Sequence, residues 1–200
     1  MTSPLELRFL VLSASTRSGS LNTRLAQVVA DRLAGHNVGT VTANLRDFPL
    51  PLYEVDVQER EGIPEAAHRL GDLLRETDGF VIASPEYNFS MPAILKNAID
   101  WVSRIKPWPF TGRNGLLVSA SPGALGGYRC LAALRTPLEG LGARLSSGMY
   151  TLPKADSAFA PDGSLADESN RDRLAALVST FVQETEANAH YHKLRQKVTT

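Results

Sequence analysis

The chain has 200 residues, 43% hydrophobic and 21% charged, the profile of an ordinary globular protein with room for one sizeable core. Its 21 Lys and Arg balance 21 Asp and Glu, so it carries no electrostatic footprint for nucleic acid or an anionic membrane surface, and any anionic ligand must be held by a local site. A single cysteine, Cys130, excludes an intrachain disulfide and fits a reducing, cytoplasmic setting, and no window approaches the roughly 18 apolar residues of a membrane-spanning helix.

The amino terminus, MTSPLELRFLVLSAS, has Glu6 and Arg8 ahead of a short apolar run, which reads as a first strand and not as a signal peptide. Apolar runs bounded by turn residues follow at 8–14 (RFLVLSA), 38–45 (VGTVTANL), 79–84 (GFVIAS), 115–120 (GLLVSA) and 143–150 (ARLSSGMY). The first, third and fourth are almost wholly apolar, as strands covered on both faces must be, whereas the second alternates like an edge strand.

Helical spacing separates these runs. Leu21, Leu25, Val28, Val29 and Leu33 mark a first helix, and Ala66, Leu70, Leu73 and Leu74 a second. Ile94, Leu95, Ala98, Ile99, Val102 and Ile105 mark a third, and Leu131, Leu134, Leu138 and Leu141 a fourth. Pro137 is expected to break or kink that fourth helix near Thr136. A polar loop over 153–167 leads to a last helix at about 168–192, and the charged tail after Asn188 is expected to fray. Strand–helix alternation of this kind predicts one domain spanning 1–200. Its fold class is α/β: a three-layer, flavodoxin-like fold with a five-stranded parallel sheet of order 2-1-3-4-5 and helices on both faces.

In such a sheet, ligands bind beyond the carboxyl ends of the strands, at the switch point between strands one and three. Three connections reach that edge. In 13–22 (SASTRSGSLN), Ser15, Thr16 and Ser20 offer hydroxyls, Arg17 a fixed cation, and Leu21 and Asn22 open a helix; together these suit a phosphomonoester, although a serine-rich capping turn would have the same composition. Neither G-x-x-x-x-G-K-[ST] nor G-x-G-x-x-G is present. In 84–92 (SPEYNFSMP), Pro85, Glu86, Tyr87, Asn88 and Phe89 combine a flat aromatic with polar groups that suit a planar heterocycle, against the alternative of an ordinary polar loop. In 119–127 (SASPGALGG), Gly123, Gly126 and Gly127 permit close backbone approach or unusual dihedrals.

These residues resemble the NADPH-dependent FMN reductase family, flavodoxin-like proteins that include quinone, chromate and azo-dye reductases. Ser15, Arg17, Ser20 and Asn22 fall in register with the family's first loop, approximately G-S-x-R-x-x-S-x-N. The stretch from Pro85 to Trp101 follows P-E-Y-N-x-S-x-P-x-x-L-K-N-A-I-D-W, and Ser121, Gly123, Gly126 and Gly127 follow S-x-G-x-x-G-G. The resemblance covers about 8–155. It implies tightly bound FMN, with Ser15, Thr16, Arg17, Ser20, Leu21 and Asn22 at the phosphate. By the same match, Pro85, Glu86, Tyr87, Asn88 and Phe89 lie along the ring, with Ser121, Gly123 and Gly126 near it. It further implies NADPH or NADH as co-substrate, a small-molecule electron acceptor and a homodimer or homotetramer. Ala14 stands where the family usually has glycine, and Phe89 and Met91 are bulkier than the residues common there.

No acid–base constellation accompanies the site, and the HYH stretch at 190–192 lacks the other ligands that a metal centre needs, so none is expected. Flavin chemistry needs neither, because the cofactor carries the hydride. The expected activity is hydride transfer from NAD(P)H through FMN to a quinone, free FMN, an azo dye or chromate. The alternatives on the same fold are a flavodoxin-type electron carrier and a non-enzymatic interaction protein.

Overall fold

The computed structural model describes residues 6–198, with side chains as far as residue 192; the outermost parts of the expected amino-terminal lead-in and charged tail lie outside the described residues. Strands β1 (Arg8–Ser13), β2 (Gly39–Asn44), β3 (Gly79–Ala83) and β4 (Asn114–Ala120) are all parallel, and β2-β1-β3-β4 is their order across the sheet. From Phe9 onward β1 is fully buried, as are β3 and β4 throughout, whereas β2 at the edge is mostly half-exposed. The apolar runs and the alternating run read in the sequence correspond to that division.

The period-two geometry of a strand sends alternate side chains to opposite faces, and two cores result. Phe9, Val11, Val81, Leu116 and Val118 pack with helices α1 (Leu21–Ala34) and α6 (Glu168–Val198). Leu10, Leu12, Phe80, Ile82 and Leu117 pack with α3 (Glu65–Arg75), α4 (Ala93–Val102) and α5 (Tyr128–Gly140). Two small residues at strand starts make room for large ones. A methyl group at Gly79 would lie 2.9 Å from the Phe9 ring, whose centroid is 5.2 Å from that of Phe181. At Gly115 it would lie 2.5 Å from both Phe80 and Leu145.

Four local features differ from the sequence expectation. The fifth strand is two short pieces on the same edge of β4: β5 (Arg144–Leu145) pairs its beginning and β6 (Tyr150–Leu152) its end. Between them the chain leaves the sheet to reach two helices. The Ser146 hydroxyl contacts Glu184 at 2.6 Å and its carbonyl accepts from Arg135 at 2.9 Å. Second, α5 continues through Pro137 to Gly140. The missing N–H costs one bond near the helix end, and the fully buried Leu134 and Leu138 anchor both sides of it. Third, α6 is helical as far as Val198, beyond Asn188, where the charged tail is expected to fray. Fourth, α2 (Val55–Glu61) buries no residue, so it left no apolar stripe to read.

Gly115→Ala is expected to destabilise the fold by about 1–3 kcal/mol, the usual range for overpacking a close-packed core, because the new methyl meets Phe80 and Leu145 at 2.5 Å. Equilibrium chemical unfolding of the two proteins measures it; equal midpoints would contradict the packing described.

Candidate functional site

The carboxyl ends of β1, β3 and β4 converge on a cleft of about 290 Å³. Ser15, Arg17, Ser20, Leu21, Asn22, Pro85, Glu86, Tyr87 and Ser121 line it, joined by Ala120 and Pro122. Nine of the residues singled out in the sequence are thus brought together. Thr16, Asn88, Phe89, Gly123 and Gly126 stand outside this lining.

The loop after β1 is built to point donors outward. Ser20 caps α1, accepting from the N–H groups of Asn22 at 3.2 Å and Thr23 at 3.4 Å. Asn44 at the end of β2 donates to the Ser15 carbonyl at 3.1 Å, and the Arg46 guanidinium donates to the Thr16 carbonyl. With its carbonyls held from behind, the loop leaves the N–H groups from Thr16 to Leu21 without an acceptor among the described residues. Arg17 is exposed and has no ion-pair partner among them. The first turn of α1 carries no acidic residue. Free N–H groups, a helix amino terminus and a guanidinium make a donor set complementary to a phosphate.

Asn22 has a different task from the hydroxyls beside it. Its carboxamide is buried and forms two bonds with the backbone of Ala120, donating to the carbonyl at 2.8 Å and accepting from the N–H at 2.9 Å. It therefore ties the start of α1 to the end of β4, which leaves one of its N–H donors and one oxygen lone pair unused.

The loop after β3 is fastened to α5. Glu86 puts one carboxylate oxygen on the Arg129 side chain (Nε at 2.8 Å, a terminal nitrogen at 2.6 Å). The other oxygen accepts from the N–H groups of Arg129 at 3.1 Å and Cys130 at 3.3 Å. Gly127, the residue at the helix cap, has no side chain to do this, so Glu86 caps α5 from another part of the chain. Neither Arg129 nor Arg46 was legible as a partner, because nothing local in the sequence links them to residues 43 and 30 positions away.

Beyond Glu86 the chain reverses in two residues. Tyr87 and Ser90 exchange both backbone hydrogen bonds at 3.0 Å, and Asn88 and Phe89 between them have φ of 48° and 67°. Asn-Gly is the usual occupant of such a turn, and a phenylalanine in the left-handed region is strained. The Phe89 ring is 69% exposed and carries the Arg129 guanidinium over its face at 4.3 Å. One arginine thus serves both Glu86 and Phe89.

The glycines after β4 answer to internal crowding. At Gly127 a methyl group would stand 1.9 Å from the Ser119 hydroxyl, and at Gly126 2.8 Å from the backbone of Leu152 and Pro153. Both have positive φ. Gly123 faces open space apart from Ser121, whose hydroxyl accepts its N–H at 3.2 Å.

Cys130 is fully buried, its sulfur 3.2 Å from the Ser84 hydroxyl. Burial pushes its thiol up to about 11; the Ser84 contact opposes this, and the nearby Glu86 carboxylate adds to it. A thiol whose folded value exceeds its unfolded value adds stability that is complete below pH 9 and is lost as pH rises through about 11. The native protein is therefore expected to resist iodoacetamide at pH 8 while the unfolded chain is alkylated; mass spectrometry of both states reads this, and rapid native labelling would contradict it.

The fold resembles that of flavodoxin 1 from Bacillus cereus, with a TM-score of 0.60 at 12% identity over 88% of this chain and 97% of that one, a flavodoxin-like likeness of fold alone. The flavoenzyme NAD(P)H:(acceptor) oxidoreductase FerB of Paracoccus denitrificans superposes with a TM-score of 0.79 at 30% identity, covering 91% of this chain and 98% of that one. The quinone reductase of Escherichia coli K12 is 34% identical over 181 residues, 88% of this chain and 94% of its own. Residues 7–157, which hold the phosphate-like donor set, the Glu86 loop and the glycine turn together, match the family model of the NADPH-dependent FMN reductases, and to that family the chain belongs.

Proposed function

We propose that the protein is an FMN-dependent NAD(P)H oxidoreductase whose electron acceptor is a quinone or a compound of similar chemistry. The observation that carries this reading is the loop from Thr16 to Leu21, whose N–H groups have no acceptor among the described residues and whose Arg17, Ser20 and Leu21 line the same cleft as Pro85, Glu86 and Tyr87. That donor set fits the phosphate of FMN, and an aromatic beside a proline-led backbone suits a planar ring. When bound, FMN supplies the hydride chemistry between nicotinamide and quinone.

The chain's own groups bind and orient. Ser15, Thr16, Arg17 and Ser20 hold the phosphate, and Leu21 stands at the amino end of α1 beside them. Asn22 contributes by fixing where α1 begins. Pro85, Glu86, Tyr87, Asn88 and Phe89 form the wall along the ring, stiffened by the Glu86–Arg129 pair, with Ser121, Gly123 and Gly126 closing the far side. We read residues 1–200 as one domain, working in the cytoplasm with its thiol reduced. Tyr87, Phe89, Leu125 and Tyr128 are large exposed side chains, three of them aromatic, on loops at this edge or where α5 begins, which supports a homodimer or homotetramer with tightly held FMN.

Arg17→Ala is expected to weaken FMN binding about tenfold or more, the worth of a charge-assisted hydrogen bond, read by quenching of flavin fluorescence. A wild-type protein that purifies colourless and binds no FMN on titration would overturn the reading. An FMN-loaded protein that fails to oxidise NADPH or NADH in the presence of quinones would instead be an electron carrier.

Glu86→Ala is expected to lower stability by about 1–2 kcal/mol, because it strips the cap from α5 and leaves two N–H groups without an acceptor. Glu86→Gln, which keeps an acceptor there, recovers part of the loss in thermal unfolding; no difference among the three proteins would contradict the capping role.

A further inference from the structure

A second cleft, of about 520 Å³, opens at the opposite edge of the sheet, where β3, β4 and β5 begin and the last described turns of α6 pass over them. Its chemistry is not that of an idle surface. Arg113 and Arg144 both line it, and neither has a carboxylate within ion-pair distance among the described residues. The guanidinium of Arg113 donates to the Arg75 carbonyl at 2.7 Å and to nothing else described. Asp78, the acidic residue in the lining, gives its carboxylate to the backbone N–H of Arg8 at 2.9 Å.

The arginine-bearing segments are held in place before anything binds. Gly112 donates to the Gly142 carbonyl and Arg144 to the Arg113 carbonyl, each at 2.8 Å, so the two loops run side by side. Asn188 on α6 donates to the Gly112 carbonyl at 3.1 Å and to Asn114 Oδ1 at 2.9 Å. Both donors of its carboxamide are thereby used, and its own Oδ1 is buried with no partner. A buried acceptor without a donor is costly, and so is a half-buried cation without a counter-charge. Burial holds the Arg113 guanidinium below its ordinary value, with Asp78 opposing that effect from a distance.

We propose that this cleft binds a small oxyanion, a phosphate or carboxylate carried on a molecule that also bears a hydroxyl or amine. Arg113 and Arg144 take the anionic oxygens, the geometry for which guanidinium groups are suited, and the hydroxyl or amine donates to Asn188 Oδ1. His192, exposed on the same wall, stands beside the entrance. The site lies at the amino ends of the strands, away from the cleft that faces Arg17, so it acts as a separate binding site and does not depend on the flavin reading.

The test is isothermal titration of the protein, with and without one equivalent of FMN, using glycerol 3-phosphate, malate and inorganic phosphate at constant ionic strength maintained with chloride. The expected result is saturable binding that FMN does not compete away, tighter for the hydroxyl-bearing compounds than for inorganic phosphate. The change Arg144→Gln, at an exposed side chain, is expected to weaken it about tenfold, the worth of one charge-assisted hydrogen bond. Absence of saturation with all three compounds at millimolar concentration, competition by FMN, or an affinity unchanged by Arg144→Gln would each overturn the proposal. Equal affinity for inorganic phosphate and glycerol 3-phosphate would overturn the part assigned to Asn188.

Discussion

The carboxamide of Asn22 is the joint on which the carboxyl edge of this protein depends. Buried between α1 and β4, it exchanges two hydrogen bonds with Ala120, 98 residues away. A helix that follows a strand through a seven-residue loop could begin at several heights above the sheet. Two short bonds to the end of β4, two strands away from β1, leave one. The Ser20 cap and the loop before it take their position from that joint together with the bonds from Asn44 and Arg46.

A second long-range contact does for α5 what Asn22 does for α1. Glu86 leaves the end of β3 and caps a helix whose own cap residue is a glycine. That glycine cannot be exchanged for a capping serine, because any Cβ at Gly127 would collide with Ser119. Tight packing of the β4 turn thus removes the local solution, and a carboxylate from across the cleft replaces it. The same carboxylate holds Arg129, and Arg129 covers Phe89 in its left-handed turn. Strain at Asn88 and Phe89 is tolerated where the surrounding contacts leave the chain no alternative path.

Overall neutrality conceals how charge is distributed. At the carboxyl edge the positive end of α1 and Arg17, which has no ion-pair partner among the described residues, line the cleft, whereas Glu86 is neutralised by Arg129 and by the α5 amino terminus. At the amino edge two arginines stand without carboxylate partners among the described residues. Neither feature alters the sum over the chain, and each is set by which side chains the sheet order brings together.

The sequence by itself determined the layers of this protein. Apolar runs such as GFVIAS and GLLVSA can only be strands covered on both sides, and the helical stripes around Leu25, Leu70, Leu95 and Leu134 require a sheet face to cover them, which leaves little freedom but a doubly wound order. The loops that form the cleft were legible too, since Ser, Arg, Asn and Tyr after buried strands have no packing role. Tertiary structure decided what each polar residue does. Asn22 and Glu86, alike in motif to residues that face a ligand, turn their side chains to Ala120 and to α5. Gly126 and Gly127 make room for their own chain, the fifth strand divides after Ser146, whose carbonyl and hydroxyl bond α5 and α6, and α5 survives Pro137 because Leu138 is buried beyond it. Period and composition report burial, which is a local property of a residue and its element. The partner of a polar group is a property of two segments far apart in sequence, and it becomes defined only when the sheet brings them within 3 Å.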